Sequence, residues 1–264
     1  MGKLRTAVFV ISIYVLLHWF NVIKPSYVFR ANLVKEIGQR ESGYSYSHPS
    51  IRQAFRNIYP KHILQEKYFP WISSHTGGLD GSIAVLYASL HEFLLLYNAE
   101  VETYGSTGRH YMNISVTVLR GSMSASQEGS TPSTSLSQGE NTVFRMGTSS
   151  TVKLGQKTTL LVYGRGIVPL TSGYWISDTI FTQHDPILAL TTMYLYFKAV
   201  VLSNVWLQNM VAYLWSVASM GITKLWKDVV YHVSQLPLLF NTFVEYLIKS
   251  WYQFTDWLVT TSDI

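Results

Sequence analysis

The sequence has no cysteine among its 264 residues. This absence excludes disulfide frameworks, thiolate metal sites and cysteine nucleophiles. It does not identify the compartment, because a chain without thiols is compatible with either side of a membrane.

Charged residues are also scarce, at 13% of the chain against about 25% in an average soluble protein. Aromatic residues reach 14%, and the combination points to contact with lipid.

Basic residues are not clustered. The formal net charge is +5, but Lys and Arg form no run of five or more. A nucleic-acid site needs such a patch, so we expect no nucleic-acid partner. We also expect no bound metal and no other cofactor.

Residues 1–25 are predicted to form an N-terminal transmembrane anchor. The stretch Thr6–Ile23 carries no formal charge, and as a helix it measures about 27 Å, close to the roughly 30 Å hydrocarbon core of a bilayer. A cleaved signal peptide is the alternative, but the apolar stretch is long for one and no small-x-small cleavage site follows it. The orientation stays open, because basic residues lie on both sides.

The first half of the remaining chain has helical periodicity. Apolar residues recur at spacings near three and four from Tyr27 to Leu64, with Pro60 as a stop signal. Thr76–Gly81 is predicted to be a turn, and Ser82–Tyr97 a strongly apolar helix. That helix would bury one acid, Glu92, which we interpret as a hydrogen-bonded structural carboxylate.

Beyond Gly105 the period changes to two. Residues 112–118 alternate between apolar and polar side chains, as a half-buried strand does, and residues 142–146 and 157–163 behave similarly. Several short strands of this kind favour a small barrel or sandwich. The Ser-, Thr- and Gly-rich segment 121–139 is predicted to be a loop or a loose hairpin. An Asn-Ile-Ser glycosylation pattern at 113–115 lies inside the first strand, so we attribute it to chance.

Residues 105–185 contain four distinctive segments: GSTGRHYMNISVTVLRGSM at 105–123, EGST at 128–131, QGENTV at 138–143 and YGRGIVPLTSGYWISDTIFTQHD at 163–185. YPKHIL at 59–64, TGGLDGSIAVLYASLHEFLLL at 76–96 and the N-terminal anchor precede them. Together these segments resemble the family of the sigma-1 receptor and the fungal delta-8 to delta-7 sterol isomerases. The similarity extends from about residue 25 to about residue 213.

The resemblance implies an α+β fold: an N-terminal transmembrane helix, a cupin-like β-barrel with flanking helices, and C-terminal membrane-associated amphipathic helices. The apolar barrel interior of the family holds a sterol or a hydrophobic amine, and the receptor forms homotrimers. The turn GGLDG at 77–81 lacks the bulky centre of the receptor's trimer-linked turn, which leaves trimerisation open. We divide the chain into the anchor at 1–25, the barrel domain at 26–185, membrane-facing helices at 186–223 and an extra aromatic tail at 224–264.

Moving a ring double bond requires one group that donates a proton and one that accepts a proton. A buried acid with a raised pKa can donate, and a carboxylate can stabilise the carbocation and accept. The resemblance implies two such acids, one in the pattern Ile-Ser-acid-Thr and one directly before Tyr-Gly-Arg-Gly. Here those positions hold Val116 and Val162. His110, Glu128 and Glu140 are poor replacements, so we predict that the protein is not an enzyme.

The resemblance also assigns the remaining site positions. An ammonium group would be buried without a counter-ion, so we expect a neutral lipid or sterol to bind rather than a cationic amine. Alternatively, bulky residues such as Trp175 fill the cavity and nothing binds. The predicted cavity lining is Phe93, Leu95, Val116, Val162, Val168, Thr171 and Tyr174, and the structural family positions are Glu92, Arg109, Arg165, Asp178 and Asp185.

The resemblance ends before the chain does. Ala199–Thr223 has no charge and is long enough to cross a bilayer, but its polar residues favour a helix at the interface or packed against protein. Residues 224–264 are rich in Trp and Phe, with Pro237 between two predicted helical segments. This composition suits the headgroup zone of a membrane, a soluble helical hairpin or a surface for a partner subunit.

These observations predict a non-catalytic, membrane-anchored protein that acts as a lipid-binding or scaffolding module, with an accessory subunit of a larger membrane complex as one form of that role. Its expected partners are the lipid bilayer, a sterol or other neutral lipid, and either a protein partner or further copies of the chain. An isomerase with a relocated acid and a ligand-regulated receptor of the sigma type are the alternatives. The endoplasmic reticulum membrane is the expected location, with the mitochondrial inner membrane as the alternative.

Overall fold

The computed structural model describes residues 10–12, 14, 27–42, 48–129, 133–233 and 248–251. They divide into two units, one ending at Val200 and the other beginning at Val201. The first unit contains both helices and strands, so the predicted α+β class is confirmed. The predicted transmembrane helix at 1–25 is not confirmed, because apart from the helical residues at 10–12 and 14 it lies outside the described residues.

Within the described stretches 27–42 and 48–71, two helices precede the strands. Helix α1 spans Ala31–Glu41 and helix α2 spans His48–Ile58. Their apolar residues follow the predicted spacing and are buried at Ile37 and Phe55, among others. The helical pattern predicted for residues 27–64 is thus confirmed as two helices, followed by a 3₁₀ turn at Glu66–Tyr68.

Ten strands among the described residues form two antiparallel sheets. The six-stranded sheet has the order β1-β2-β3-β10-β5-β8, and the four-stranded sheet has the order β4-β9-β6-β7. An apolar cluster with residues from both sheets lies between them, and the two facing sheets are called the barrel below. The strands are β1 Ile72–Thr76, β2 Leu79–Ala88, β3 Glu92–Ala99, β4 Thr103–Ser106, β5 Met112–Arg120, β6 Met123–Gln127, β7 Thr134–Leu136, β8 Asn141–Phe144, β9 Ser150–Leu154 and β10 Thr158–Gly166.

The prediction of a helix at Ser82–Tyr97 is wrong. This segment belongs to strands β2 and β3, which pair antiparallel across a short connection at Ser89–His91. Both faces of β3 are covered: Leu94 and Leu96 are fully buried in the core beneath the helices, while Phe93 and Leu95 face the barrel interior. A strand covered on both faces reads as a continuous apolar run, so its period of two disappears from the sequence.

The strands predicted at 112–118, 142–146 and 157–163 are present as β5, β8 and β10. In β10 the side chains of Leu161 and Tyr163 join the core under the helices, and Leu160 points to the barrel interior. Helix α1 approaches this sheet closely at Gly38, where an added Cβ would lie 2.9 Å from the Leu161 side chain. The Asn-Ile-Ser pattern at 113–115 lies within β5.

The predicted turn at 76–81 is a two-residue hairpin turn between β1 and β2. Thr76 pairs with Leu79, and the intervening Gly77 and Gly78 have φ angles of 64° and 83°. Such left-handed backbone favours glycine. The polar segment 121–139 contains strands β6 and β7, which pair with each other, so it is a hairpin rather than a loop.

The chain then becomes helical. Helix α3 spans Val168–Ser177, a π-helical turn follows at Asp178–Thr182, and helix α4 spans Pro186–Leu202. In the second unit helix α5 spans Val205–Val233. The boundary that we predicted at 223/224 therefore falls inside one helix, whereas Pro237 lies outside the described residues.

No single helix among the described residues is both long and apolar enough to cross a membrane. The segments Pro186–Leu202 and Leu207–Val217 meet the requirement together, by length and composition, with a break between them.

Candidate functional site

A cavity of about 290 Å³ opens inside the barrel. Its wall is formed by strands β1, β2, β3, β5 and β10, with the β4 end, the segment before β5, and helices α3 and α4 completing it. Its surface is predominantly apolar. The volume is near the lower end of the roughly 300 to 1,000 Å³ typical of small-molecule sites.

Six of the seven predicted lining residues lie around this cavity: Phe93, Leu95, Val162, Val168, Thr171 and Tyr174. The seventh, Val116, is 5% exposed and belongs to the apolar cluster that fills the rest of the barrel interior. Trp175 is part of the wall, and space remains beside it. The barrel is thus divided into an open part under α3 and α4 and a packed part between the two sheets.

Val116 and Val162 are directly opposite each other on the paired strands β5 and β10. Residues in such a position have Cβ atoms about 5 Å apart. Val162 lines the cavity and also packs against the cluster that contains Val116. The two valines therefore mark the boundary between the open and the packed parts of the barrel.

Among the described residues that line the cavity, none is Asp, Glu, Lys or Arg. His110 is the histidine of this wall. Burial lowers the pKa of its imidazole, an effect that the nearby Thr107 backbone partly offsets. Burial also raises the pKa of the Tyr97 hydroxyl, with a smaller contribution from Asp80. The groups of this wall therefore favour their uncharged forms at neutral pH, and the wall suits an uncharged molecule.

Glu92, which we interpreted from sequence as a structural carboxylate, lies on the opposite face of β3. It is completely buried. Its carboxylate accepts hydrogen bonds from the backbone N–H of Val28 at 2.6 Å, from that of Phe29 at 3.4 Å and from the Tyr163 hydroxyl at 2.8 Å. Burial, followed by the neighbouring Glu92 charge, raises the pKa of Tyr163. This network fastens the segment before α1 to strands β3 and β10.

Two further acids accept hydrogen bonds at the helices that line the cavity. Asp178 accepts a hydrogen bond of 2.6 Å from the Gly77 N–H, which joins the end of α3 to the β1–β2 turn. Nearby, the Tyr174 hydroxyl donates to the Ser106 carbonyl oxygen at 3.1 Å. Asp185 accepts from the Leu188 N–H at 2.8 Å and so caps the first turn of α4.

The two arginines among the structural family positions lie away from the cavity lining. The Arg109 guanidinium donates to the Gly147 carbonyl oxygen at 2.6 Å and to the Glu128 carboxylate, so it ties the β6 end to the β8–β9 connection. Arg165 stacks over the Tyr27 ring, with 3.9 Å between the guanidinium carbon and the ring centroid. The structure thus brings the predicted lining residues together but spreads the five structural positions over the surrounding scaffold.

Sequence reasoning missed much of the wall. The cavity residues of β1 and β2, and those contributed by α4, were not predicted. The β2 residues were missed because residues 82–97 were predicted to form a helix. The β-branched and aromatic side chains at Ile83, Val85 and Tyr87 are nevertheless typical of a strand. The missed residues include Ile72, Leu79, Ile83, Val85, Ala88, Leu188, Thr192, Leu195 and Tyr196.

Comparison with known proteins agrees with the resemblance seen in the sequence. A family model described as "ERG2 and Sigma1 receptor like protein" matches residues 4–208. The chain belongs to this family. It is 32% identical to the Sigma non-opioid intracellular receptor 1 of Xenopus tropicalis over 203 residues, which cover 76% of this chain and 91% of that receptor. The predicted family resemblance is confirmed.

Two more distant similarities were also found. The chain is 26% identical to the Protein erg2 homolog of Dictyostelium discoideum over 136 residues, or 52% of this chain and 58% of that protein. Among solved structures, an RmlC-like cupin from Shewanella frigidimarina matches 40% of this chain and 90% of its own length, with 11% identity and a TM-score of 0.34.

The Glu92 network generates a test of stability. In Glu92→Gln the amide retains one acceptor oxygen but turns an N–H₂ group toward groups that donate, so at least one buried donor loses its partner. We expect the free energy of unfolding to fall by about 1–3 kcal/mol, and the melting temperature of the purified protein to fall by about 2–12 °C. Glu102→Gln is the matched control, because Glu102 pairs with Lys153 at the surface and is 55% exposed. Equal melting temperatures for the two variants would contradict the structural role of Glu92.

Proposed function

We propose that this chain is a non-catalytic, membrane-associated member of the family that binds an uncharged lipid in its barrel. The observation that carries the proposal is an apolar cavity of about 290 Å³ with no acidic residue among its described lining. The same cavity serves a scaffolding role if the bound lipid stabilises the fold that a partner recognises.

The apolar cavity favours neutral ligands for a physical reason. A buried ammonium loses its hydration, and it needs a nearby carboxylate to recover that loss. The resemblance implies carboxylates at positions 116 and 162, but valines occupy both. An uncharged lipid needs no carboxylate as a counter-ion, since its apolar body replaces water on an apolar wall.

The same valines argue against isomerisation. Protonation of a ring double bond needs a strong acid placed beside the substrate, and a second group that accepts a proton. The described lining side chains that titrate are His110 and three tyrosines, and burial favours the neutral form of each: Tyr97, Tyr174 and Tyr196. A neutral imidazole and a phenol both hold their protons far more tightly than a carboxylic acid does, so neither replaces the acid that protonates a double bond.

Helix α4 supports the membrane association. One side of α4 faces the cavity through Leu188, Leu195 and Tyr196. Its other side leaves large apolar residues exposed, including Ile187 at 75%, Leu190 at 66% and Phe197 at 61%. These positions recur at helical spacing and form one stripe. A stripe of this kind at the surface is typical of a helix that lies in the interface of a bilayer.

Ligand charge provides the first test of the proposed function. We expect the purified protein to bind dehydroergosterol, detected by energy transfer from tryptophan, and to show no displacement by micromolar N,N-dimethyldodecylamine in its protonated form. In Val162→Glu the new carboxylate faces the cavity, so the amine should displace the sterol. Val162→Gln adds the same bulk without charge, so the amine should fail to displace the sterol from this variant, as it does from the wild type. Amine displacement from the wild type would contradict a preference for neutral ligands.

Sterol chemistry provides the second test. We expect the chain to leave the sterols of an isomerase-deficient yeast strain unchanged, because the barrel lacks the acid pair. Gas chromatography of the sterol fraction measures this directly, with the yeast's own isomerase as the positive control and immunoblotting to verify expression. A normal sterol profile in cells that express this chain would refute the non-catalytic assignment.

Membrane contact provides the third test, and the absence of cysteine makes it straightforward. A single cysteine at Leu190→Cys can be labelled with the fluorophore NBD in the full chain, reconstituted in phosphatidylcholine vesicles. Doxyl-labelled lipids should quench this probe, because the stripe on α4 contacts acyl chains. Val143→Cys is the control, since Val143 is 53% exposed on strand β8. Equal quenching at the two positions would remove the case for a membrane-facing α4.

A further inference from the structure

Three buried polar atoms in the cavity wall lack a hydrogen-bond partner among the described residues. They are the Tyr97 hydroxyl oxygen, His110 Nδ1 and Thr171 Oγ1. Buried polar side chains are normally hydrogen-bonded, so each such atom needs an explanation. That three of them line one predominantly apolar cavity indicates that the wall is built to receive a polar atom from a ligand.

Other polar side chains of the same wall are satisfied within the protein. Thr192 donates to the Leu188 carbonyl oxygen at 2.8 Å and Thr179 to the Trp175 carbonyl oxygen at 2.7 Å. The Tyr196 hydroxyl donates to the Ser89 carbonyl oxygen at 2.9 Å. The unpartnered atoms are therefore not a general property of this wall but a feature of a few positions.

His110 and Thr171 belong to the same side of the cavity. Thr171 and Tyr174 are three residues apart on α3, so they share a face of that helix. The His110 ring contacts the Tyr174 ring edge to face, with 5.4 Å between their centroids. Tyr174 thus bridges the two. Tyr97 is on β3, where it also packs against the apolar cluster of the closed part of the barrel, so it lies in a different part of the wall.

The two groups define the chemistry of a ligand. A threonine hydroxyl both donates and accepts a hydrogen bond, and the Nδ1 atom of a neutral imidazole does one or the other according to its tautomer. An alcohol can satisfy both partners at once, because its oxygen also donates one hydrogen bond and accepts others. A hydrocarbon would leave both buried groups unpartnered, and an ammonium would find no negative charge among the described lining residues.

We propose that His110 and Thr171 form a polar subsite that anchors the hydroxyl group of an uncharged lipid alcohol, whose apolar body lies against Phe93, Leu95 and Val162. This inference rests on the proposed function, since it names the class of lipid that the cavity takes. It assigns to His110 a role in binding rather than in proton transfer.

The test compares two competitors that differ only in the hydroxyl group. Cholesterol and cholest-5-ene share one ring system and side chain, and the inhibition constant of each is measured by competition with dehydroergosterol in the full chain. Because dehydroergosterol carries the same hydroxyl group as cholesterol, its own dissociation constant is measured in every variant and enters each inhibition constant. We expect cholesterol to compete at least about fivefold more strongly, the effect of one net hydrogen bond. Thr171→Val keeps the shape of the side chain and removes its hydroxyl, so it should weaken cholesterol by a similar factor and leave cholest-5-ene unchanged. His110→Phe should reduce the preference in the same direction.

Thr192→Val is the matched control. It makes the same substitution on the same wall, but at a hydroxyl that already has a partner in its own helix. Because Thr192 also lines the cavity, its replacement changes the affinity for both competitors alike, and we expect the ratio between cholesterol and cholest-5-ene to stay as in the wild type. Equal competition by the two molecules in the wild type, or equal effects of Thr171→Val and Thr192→Val, would overturn the polar subsite while leaving neutral-lipid binding intact. If dehydroergosterol itself does not bind, the proposed function fails and the subsite fails with it.

Discussion

Val116 and Val162 face each other across the β5–β10 ladder, where the open part of the barrel meets its packed part. Their pairing constrains the chemistry of the interior. A carboxylate at either position would lie against apolar side chains, and burial would raise its pKa and disfavour its charged form. Two valines remove that cost and extend the apolar cluster to the floor of the cavity. This apolar interior underlies the proposal that the barrel binds an uncharged molecule without protonating it.

The carboxylate of Glu92 lies on the face of the sheet that is turned away from the cavity. Glu92 is one residue before the cavity residue Phe93, yet the alternation of the strand turns its carboxylate toward the helices. There two backbone N–H groups and the Tyr163 hydroxyl satisfy it. Adjacent residues of one strand thus serve separate purposes: Glu92 fastens the chain before α1, and Phe93 lines the cavity.

The helices after the barrel form the rest of the cavity wall. Helix α3 supplies one wall of the cavity and is held by Asp178 against the β1–β2 turn. Helix α4 lines the cavity with one side and exposes an apolar stripe on the other. In the proposed function, helix α4 therefore borders the bound lipid with one side and the bilayer with the other.

The sequence by itself determined the family, the helical pattern before the barrel, the strands with visible alternation and the replacement of both expected acids by valine. It could do so because motifs and half-buried periodicity are local properties. Strands β2 and β3 were mistaken for a helix, since burial on both faces erases the period of two. Only the tertiary structure decided which residues share the cavity, because strands and helices distant along the chain meet there. It also decided that His110 and Thr171 lie on one side of the cavity with atoms that have no partner among the described residues, since whether a polar atom has a hydrogen-bond partner depends on neighbours that the sequence does not specify.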